Sequence, residues 1–502
     1  NDHHSHLDAE TTALTLKDAA GASRSVTVEL GGFPRVTAAM AALATPGRNV
    51  LKLHAGDAIT GDLYYTQSEG QADATLMNTV CFDAFTIGNH EFDGADAGLV
   101  KFIDYLHAGT CKTPVLSANI EPAAGTALAS RMSAYRIIEK DGEKIGVVGL
   151  TVKDKTQFAS RPDASTRFLD EATSAQMVID ELKLRGVNKI ILMSHLGYAA
   201  DKAIAPKLSG VDVIIGGDSH TLLGPDSMKN YGLTPSGAYP TQAVDKDGRK
   251  VCIAQAWQYS YAVGALDVKF DASGNVTACS GKPQVLVGDS YKVGSTAASS
   301  ADAAAYRSQL DASGVFLTTT PDAAATAALA PFKAAKDALG LQVAGTASEN
   351  LCLRRVPGSK RDTSRSSLGD VCNLDATVVA QGGDIQQLVA EAFLEQGKRF
   401  GGADISLQNA GGGGHAGVEK DRKDDQRSPP PEQFQHDQHQ HQQTHAANVR
   451  LPAGERRTQR GWQAMFASPA HVVEAQCQEG SQQQATRCDR HRVLRQGTKD
   501  RD

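Results

Sequence analysis

Along the first 285 residues, short apolar runs alternate with stretches of helical period. The runs are Val50–Leu53, Ala84–Ile87, Pro114–Ser117, Ile145–Gly149, Lys189–Met193 and Val211–Ile215. Several are apolar at nearly every position, which predicts strands buried on both faces of a layered α/β domain. Polar residues cluster directly after these runs, where open α/β sheets place their sites. From Ala297 to about Gly340 the chain turns alanine-rich and predicts a helical linker between domains. Residues 341 to 412 regain α/β character, with an amphipathic segment Ile385–Leu394 and a short strand Ala403–Leu407. After the run Gly411–Gly414 the pattern stops. The stretch Ser428-Pro429-Pro430-Pro431 and the Gln/His tract over 433–445 read as a disordered, low-complexity tail. This tail does not continue the domain before it, and a reading-frame error or a replaced terminus is expected. The expected division is 1–285, 286–340, 341–414 and 415–502.

Composition narrows the classes. The chain has 502 residues, 41% of them hydrophobic, and a formal net charge of −6. These values exclude a wholly disordered or fibrous protein and give no basic face for nucleic acid. No 18-residue apolar window exists, so no membrane-spanning helix is expected. The chain opens Asn1-Asp2-His3-His4 without an initiator methionine or a basic-then-apolar leader. A removed signal peptide or a cut at this point would each produce that start, and the expected location is periplasmic or secreted. Of the eight cysteines, none falls in a CxxC spacing. The first six (Cys81, Cys111, Cys252, Cys279, Cys352, Cys372) fall into sequential pairs, which suits local disulfides in an oxidising compartment. Unrelated buried thiols are the alternative, and the pairing stays open.

Five polar clusters follow or precede the apolar runs: Asp2-His3-His4, Gly56-Asp57, Gly88-Asn89-His90-Glu91-Phe92-Asp93, Ser194-His195 and Gly217-Asp218-Ser219-His220. Singly, each is a weak signal, since a Gly-Asp after a strand is commonly a turn and an Asp-x-His pair commonly a cap. Together they supply carboxylate, imidazole and amide oxygen in the proportions of a dinuclear site. Divalent ions take such O and N ligands, and a carboxylate can bridge two ions about 3.5–4 Å apart.

In this order the motifs resemble those of the calcineurin-like metallophosphoesterases, and within them the 5′-nucleotidase family. The wider strings Asn1–Ser5, Leu53–Gly61 and Gly88–Asp93 carry the same likeness, and Ala58–Gly61 together with Gly217–His220 is similar to the periplasmic NAD nucleotidase branch. The resemblance implies a four-layer α/β/β/α metallophosphoesterase domain, plus an α+β nucleotide-binding domain that is incomplete here. It implies that Asp2, His4 and His220 hold one metal, that Asp57 bridges, and that Asn89, His195 and Asp218 hold the second. The ions would be Mn²⁺, Zn²⁺, Mg²⁺ or Co²⁺. Most of the family has histidine at the position of Asp218, and the added carboxylate favours the harder Mn²⁺ or Mg²⁺. His90 would be the cation that neutralises phosphate oxygens, oriented and kept protonated by Asp93. His3, His6 and His54 read as structural.

The implied reaction is metal-dependent hydrolysis of 5′-nucleotides to nucleoside and phosphate by a water that the two ions activate. The expected partner is an AMP-like nucleotide, with NAD as a further substrate. Gln408-Asn409-Ala410-Gly411-Gly412 looks like the second domain's asparagine-glycine motif, which makes Asn409 a substrate contact. The next positions, Gly413-Gly414, lack the apolar-arginine pair, and no Pro-Phe-Gly/Ala-Asn string follows. The strand that should carry Asp2 and His4 lies upstream of residue 1, which implies that these two ligands fray. His436, His439, His441 and His445 read as a weak, non-selective chelating tract. Two rivals stand beside this reading: a nucleotide pyrophosphatase or cyclic phosphodiesterase on the same metals, and a non-catalytic remnant that binds metal or nucleotide weakly.

Overall fold

The computed structural model describes residues 1–44, 49–341 and the helical positions 388, 390–395 and 398. Strands β1 (Glu10–Lys17) and β2 (Ser23–Leu30) form an antiparallel hairpin, in register from Glu10↔Leu30 to Lys17↔Ser23. Along β1 every second residue is buried (Thr12, Leu14, Leu16), the pattern of a sheet with one wet face. Helix α1 (Phe33–Leu43) follows, with Pro34 in its first turn, where a missing N–H costs nothing.

A small parallel sheet comes next. It is built from β3 (Leu53–His54), helices α2 (Leu63–Ser68) and α3 (Gln71–Val80), β4 (Ala84–Thr86), helix α4 (Ala95–Ala108) and β5 (Val115–Leu116). The chain continues through β6 (Ile120–Glu121), β7 (Tyr135–Lys140), β8 (Glu143–Thr151), α5 (Lys153–Ala159), β9 (Arg167–Phe168) and α6 (Glu171–Leu184). It then runs through β10 (Ile190–His195), α7 (Tyr198–Ile204), β11 (Val213–Gly216), β12 (Thr241–Val244) and β13 (Lys250–Gln255). The last described elements in sequence before residue 341 are β14 (Ala262–Phe270), β15 (Val276–Val293), β16 (Thr296–Ala297), α8 (Ser300–Ala312), β17 (Phe316–Thr318) and α9 (Ala323–Gly340).

The large central sheet has the order β12-β13-β11-β10-β8-β7, with four parallel strands between two antiparallel edges. It faces the small sheet across a thin apolar layer of Ala84, Leu116, Val147 and Met193, all fully buried. Leu76, Met77, Phe102 and Ile103 of α3 and α4 pack with Phe85 outside the small sheet. Ile179, Leu182 and Ile204 of α6 and α7 pack with Leu192 and Ile214 outside the large one. The result is the expected helix, sheet, sheet, helix stacking. The near-continuous apolar runs of β8 and β10 reflect burial on both faces.

A third sheet, β1-β2-β15-β14 with β16 and β17 on β15, was not foreseen from the sequence. Strand β15 crosses residue 285, where a domain boundary was expected. The alanine-rich stretch is helical as predicted, with Ser299 and Asp322 capping α8 and α9 by accepting from the N–H three residues on. It is not strung between domains, however. Tyr306 and Leu310 are buried with the third sheet, and Ala325 and Leu329 with the first core.

Two disulfides, Cys81–Cys111 and Cys252–Cys279, follow the sequential pairing. Cys352 and Cys372 lie outside the described residues, as do Asn409, the strand 403–407, most of the expected second domain and the His-rich tail. The described positions of the Ile385–Leu394 segment are helical.

Candidate metal centre

The C-terminal ends of the parallel strands deliver the polar clusters to one pit. His54 ends β3 and leads to Asp57; β4 leads to Asn89 and His90; His195 ends β10; β11 leads to Asp218 and His220. Asp2 and His4 do not fray. Their backbone lies alongside residues 56–58, with the Asp2 N–H on the Gly56 carbonyl (2.9 Å), that of His4 on Asp57 (3.2 Å) and that of Ser5 on Ala58 (3.0 Å). Asp2 is fully buried and His4 is 6% exposed. Five of the seven expected ligands adopt the left-handed region: Asp2, His4, Asp57, Asp218 and His220, with φ between 48° and 68°. Each such residue costs on the order of 1–3 kcal/mol, and such strain concentrates where side-chain aim matters more than backbone comfort. Gly56 and Gly217 let two backbones press against His195: a Cβ at either would sit 2.7 or 2.8 Å from the ring's Nδ1.

Glu91, to which the sequence lent no role, organises this floor. Its carboxylate accepts from the N–H groups of Asp57 (2.9 Å), Ala58 (2.7 Å) and Gly88 (2.6 Å), tying the Asp57 loop to the Asn89 loop. Burial pushes its carboxyl up to about 7. His3 and His54 pair with each other rather than entering the ligand groups. His3 bridges His54 (3.0 Å) and the fully buried Asp73 (3.1 Å), which also accepts from Ser5 (3.0 Å). His6 pairs with Glu10 and stacks on Tyr259 at 3.7 Å between ring centres. Partners this far apart in sequence leave no local signal. Lys155 could have been found, because it lies just past the end of a buried strand, β8, like the residues that were.

In the pit, acceptors face acceptors. His4 Nε2 lies 3.0 Å from His220 Nε2 and 3.6 Å from Asp57 Oδ2. His195 Nε2 is 3.1 Å from Asp57 Oδ2, 3.8 Å from Asp218 Oδ1 and 3.9 Å from Asp2 Oδ1. Although close, His195 Nε2 and Asp57 Oδ2 make no hydrogen bond of acceptable angle with each other or with any other group. The Asn89 side-chain amide lies 3.2 Å from Asp218 Oδ1; with its nitrogen turned to that oxygen it donates there, and its own oxygen accepts from the His90 N–H at 3.3 Å. The ligand atoms of Asp2, His4 and His220 all lie within 4.8 Å of one another, as do those of Asp2, Asp57 and His195. His90 joins His4 and Asp57 in a third such group. This donor set, carboxylate and imidazole with one amide oxygen, fits divalent ions.

The electrostatics agree. Burial pushes Asp2 up and His4 down to about 3. Burial also opposes charge on Asp57 and His195, but their mutual attraction wins: Asp57 falls below the usual carboxylate range and His195 rises to about 10. The carboxylates thus demand a positive charge at His195 Nε2, which a proton supplies when no ion does. Burial works against the His90 imidazolium too, yet its 2.7 Å hydrogen bond with Asp93, aided by the charge of Asp57, raises its pKa.

Residues 1–222 match the calcineurin-like phosphoesterase family model. Over 424 residues the chain is 36% identical to a probable 5′-nucleotidase of Treponema pallidum, covering 82% of this chain and 67% of that protein. The chain belongs to the 5′-nucleotidase family of calcineurin-like phosphoesterases. It is also 41% identical over 287 residues to the NAD 5′-nucleotidase of Haemophilus influenzae, across 57% of this chain and 46% of that one. The solved structure of the H. influenzae NAD nucleotidase superposes with a TM-score of 0.64 at 37% identity, covering 69% of this chain and 68% of that one. The chain thus aligns with about half the length of some curated 5′-nucleotidase-family relatives and two thirds of others. Among the described residues, no helix is long and apolar enough to cross a membrane.

Proposed function

We propose that this chain hydrolyses 5′-nucleotides to nucleoside and phosphate at a two-metal centre held by Asp2, His4, Asp57, Asn89, His195, Asp218 and His220. The observation that carries the reading is the buried crowding of carboxylate and imidazole ligand atoms, above all Asp57 Oδ2 and His195 Nε2, 3.1 Å apart without a hydrogen bond of acceptable geometry. Asp2, His4 and His220 form one ligand group, Asn89, His195 and Asp218 the other, and Asp57 lies between them. Two divalent ions bound there supply Lewis acidity, which lowers the pKa of bound water and offsets phosphate charge.

The chain's own residues do the rest. His90, fixed by Asp93, presents a protonated ring to the phosphate oxygens, where charge builds as the P–O bond breaks. Glu91 keeps the Asp57 and Asn89 loops at one spacing. The His3–His54–Asp73 network excludes water from the underside of the pit. The likeness to a NAD 5′-nucleotidase supports a second reading, in which NAD and similar pyrophosphates are also cleaved and AMP is the first product. The two disulfides support an oxidising, extracytoplasmic compartment.

The test is phosphate release from AMP and from p-nitrophenyl phosphate with Mn²⁺, then with EDTA. The expected result is release from AMP that EDTA abolishes. Turnover of the small ester alone would remove nucleotide specificity from the reading, and silence on both would remove the enzyme.

A further inference from the structure

One contact in the pit lies outside the proposed ligand set. Lys155, on α5, places its ammonium 2.5 Å from Asp218 Oδ1. The same oxygen is 3.2 Å from the Asn89 side-chain amide and 3.8 Å from His195 Nε2. Three groups from separate elements therefore converge on one carboxylate oxygen, and Lys155 brings a full positive charge to it. The Asp218 side chain is 15% exposed, whereas that of Lys155 is 41% exposed. The ammonium thus reaches in from the solvent side on a flexible stem and can leave without opening a packed core.

We propose that Lys155 is a built-in competitor for the second metal position, holding Asp218 Oδ1 until a divalent ion takes that oxygen. The inference rests on the two-metal reading above. An ammonium and a dication cannot share one carboxylate oxygen at contact distance without strong repulsion. Loading the second position therefore requires Lys155 to withdraw. Lys155 makes no hydrogen bond or ion pair with Asp2, His4 or His220, and its charge reaches Asp2 and Asp57 only at longer range, so the first position is filled at a smaller cost. Loading is then stepwise, with a tight first ion and a weaker second.

The experiment is calorimetric titration of EDTA-stripped wild type, K155M and K155R with Mn²⁺, with free Mn²⁺ followed by electron paramagnetic resonance. Wild type should take two ions in unequal steps. K155M should tighten the second step by roughly tenfold, the scale of one partly exposed charge at a few ångströms, and move the first far less. K155R, which keeps the charge, should behave as wild type. A second step in K155M that is unchanged or weaker overturns the proposal. So do equal tightening of both steps and a K155R that follows K155M. Wild type taking two ions beside an unmoved K155M sinks this inference alone; wild type taking fewer than two sinks the two-metal reading with it.

Discussion

Buried carboxylates sit at both ends of the parallel strands, and the two ends treat them differently. Where the strands begin, Asp212 accepts from the Ile190 N–H at 2.7 Å, and Asp245 accepts from the N–H groups of Gly210, Asp247 and Arg249 at 2.8–2.9 Å. These side chains satisfy backbone donors that no neighbouring strand reaches. Where the strands finish, Asp57 Oδ2 and His195 Nε2 are left without a hydrogen bond, and the backbone around them is held at positive φ. Burial of charge is therefore no guide to a site by itself. What separates the two ends is whether the lone pairs meet donors or each other.

The contrast breaks if neutralising a carboxylate has the same effect at either end. At the site end, Asp57→Asn should lower kcat/KM for AMP on the order of 10³-fold with Mn²⁺ present. It should lower the Tm in EDTA near neutral pH, since the fold favours the charged Asp57 carboxylate beside His195. Phosphate assays and calorimetry in EDTA read both, and turnover that survives the substitution would move Asp57 to the structural class.

Glu91→Ala tests whether the floor of the pit is structural and functional at once. It strands three N–H donors and should cost about 3 kcal/mol or more in urea unfolding, with weaker Mn²⁺ binding. Mn²⁺ affinity that survives intact would show that the loops hold their spacing without it. The paired substitutions Cys252→Ser and Cys279→Ser act at the other end, opening a loop with a sequence separation of 27. The expected loss is about 3 kcal/mol of stability with Mn²⁺ affinity unmoved; a fall in affinity would couple the two ends.

The smallest effect should come from Asp212→Asn. Burial, with Asp245 nearby, pushes the Asp212 carboxyl up to about 7, against about 4 in an unfolded chain. The fold thus favours the protonated form. The resulting stability is present in full below about pH 4 and is lost as the pH climbs through 7. Asn at this position does not titrate, so the variant should gain on wild type between pH 5 and pH 8, by roughly 1–3 kcal/mol. Parallel Tm curves over that range would refute the shift, and AMP turnover should not change.

The strands that feed the pit were legible because both of their faces are buried, so runs such as Ile145–Gly149 and Lys189–Met193 are apolar throughout. The third sheet was not, because β1 buries only alternate residues and its wet face dilutes the signal among charged neighbours. The polar clusters could be read because each is local to a strand end. Asp73 was missed because it meets its partner across 70 residues of chain; Glu91 and Lys155 lie near strand ends, but the partner that gives each a role stands 33 or 63 residues away. The fraying expected of Asp2 and His4 assumed that a flanking strand must hold them. Three hydrogen bonds to residues 56–58 do so instead.

The pairing of His4 with His220 joins residues 216 positions apart. A ribosome makes the first of the proposed ligands long before the last, and closing so long a loop is an entropic expense met only by the folded sheet between them. No nascent piece ending before β11 carries the complete set. Capture of the proposed metal pair is therefore an event of the finished domain, not of the growing chain.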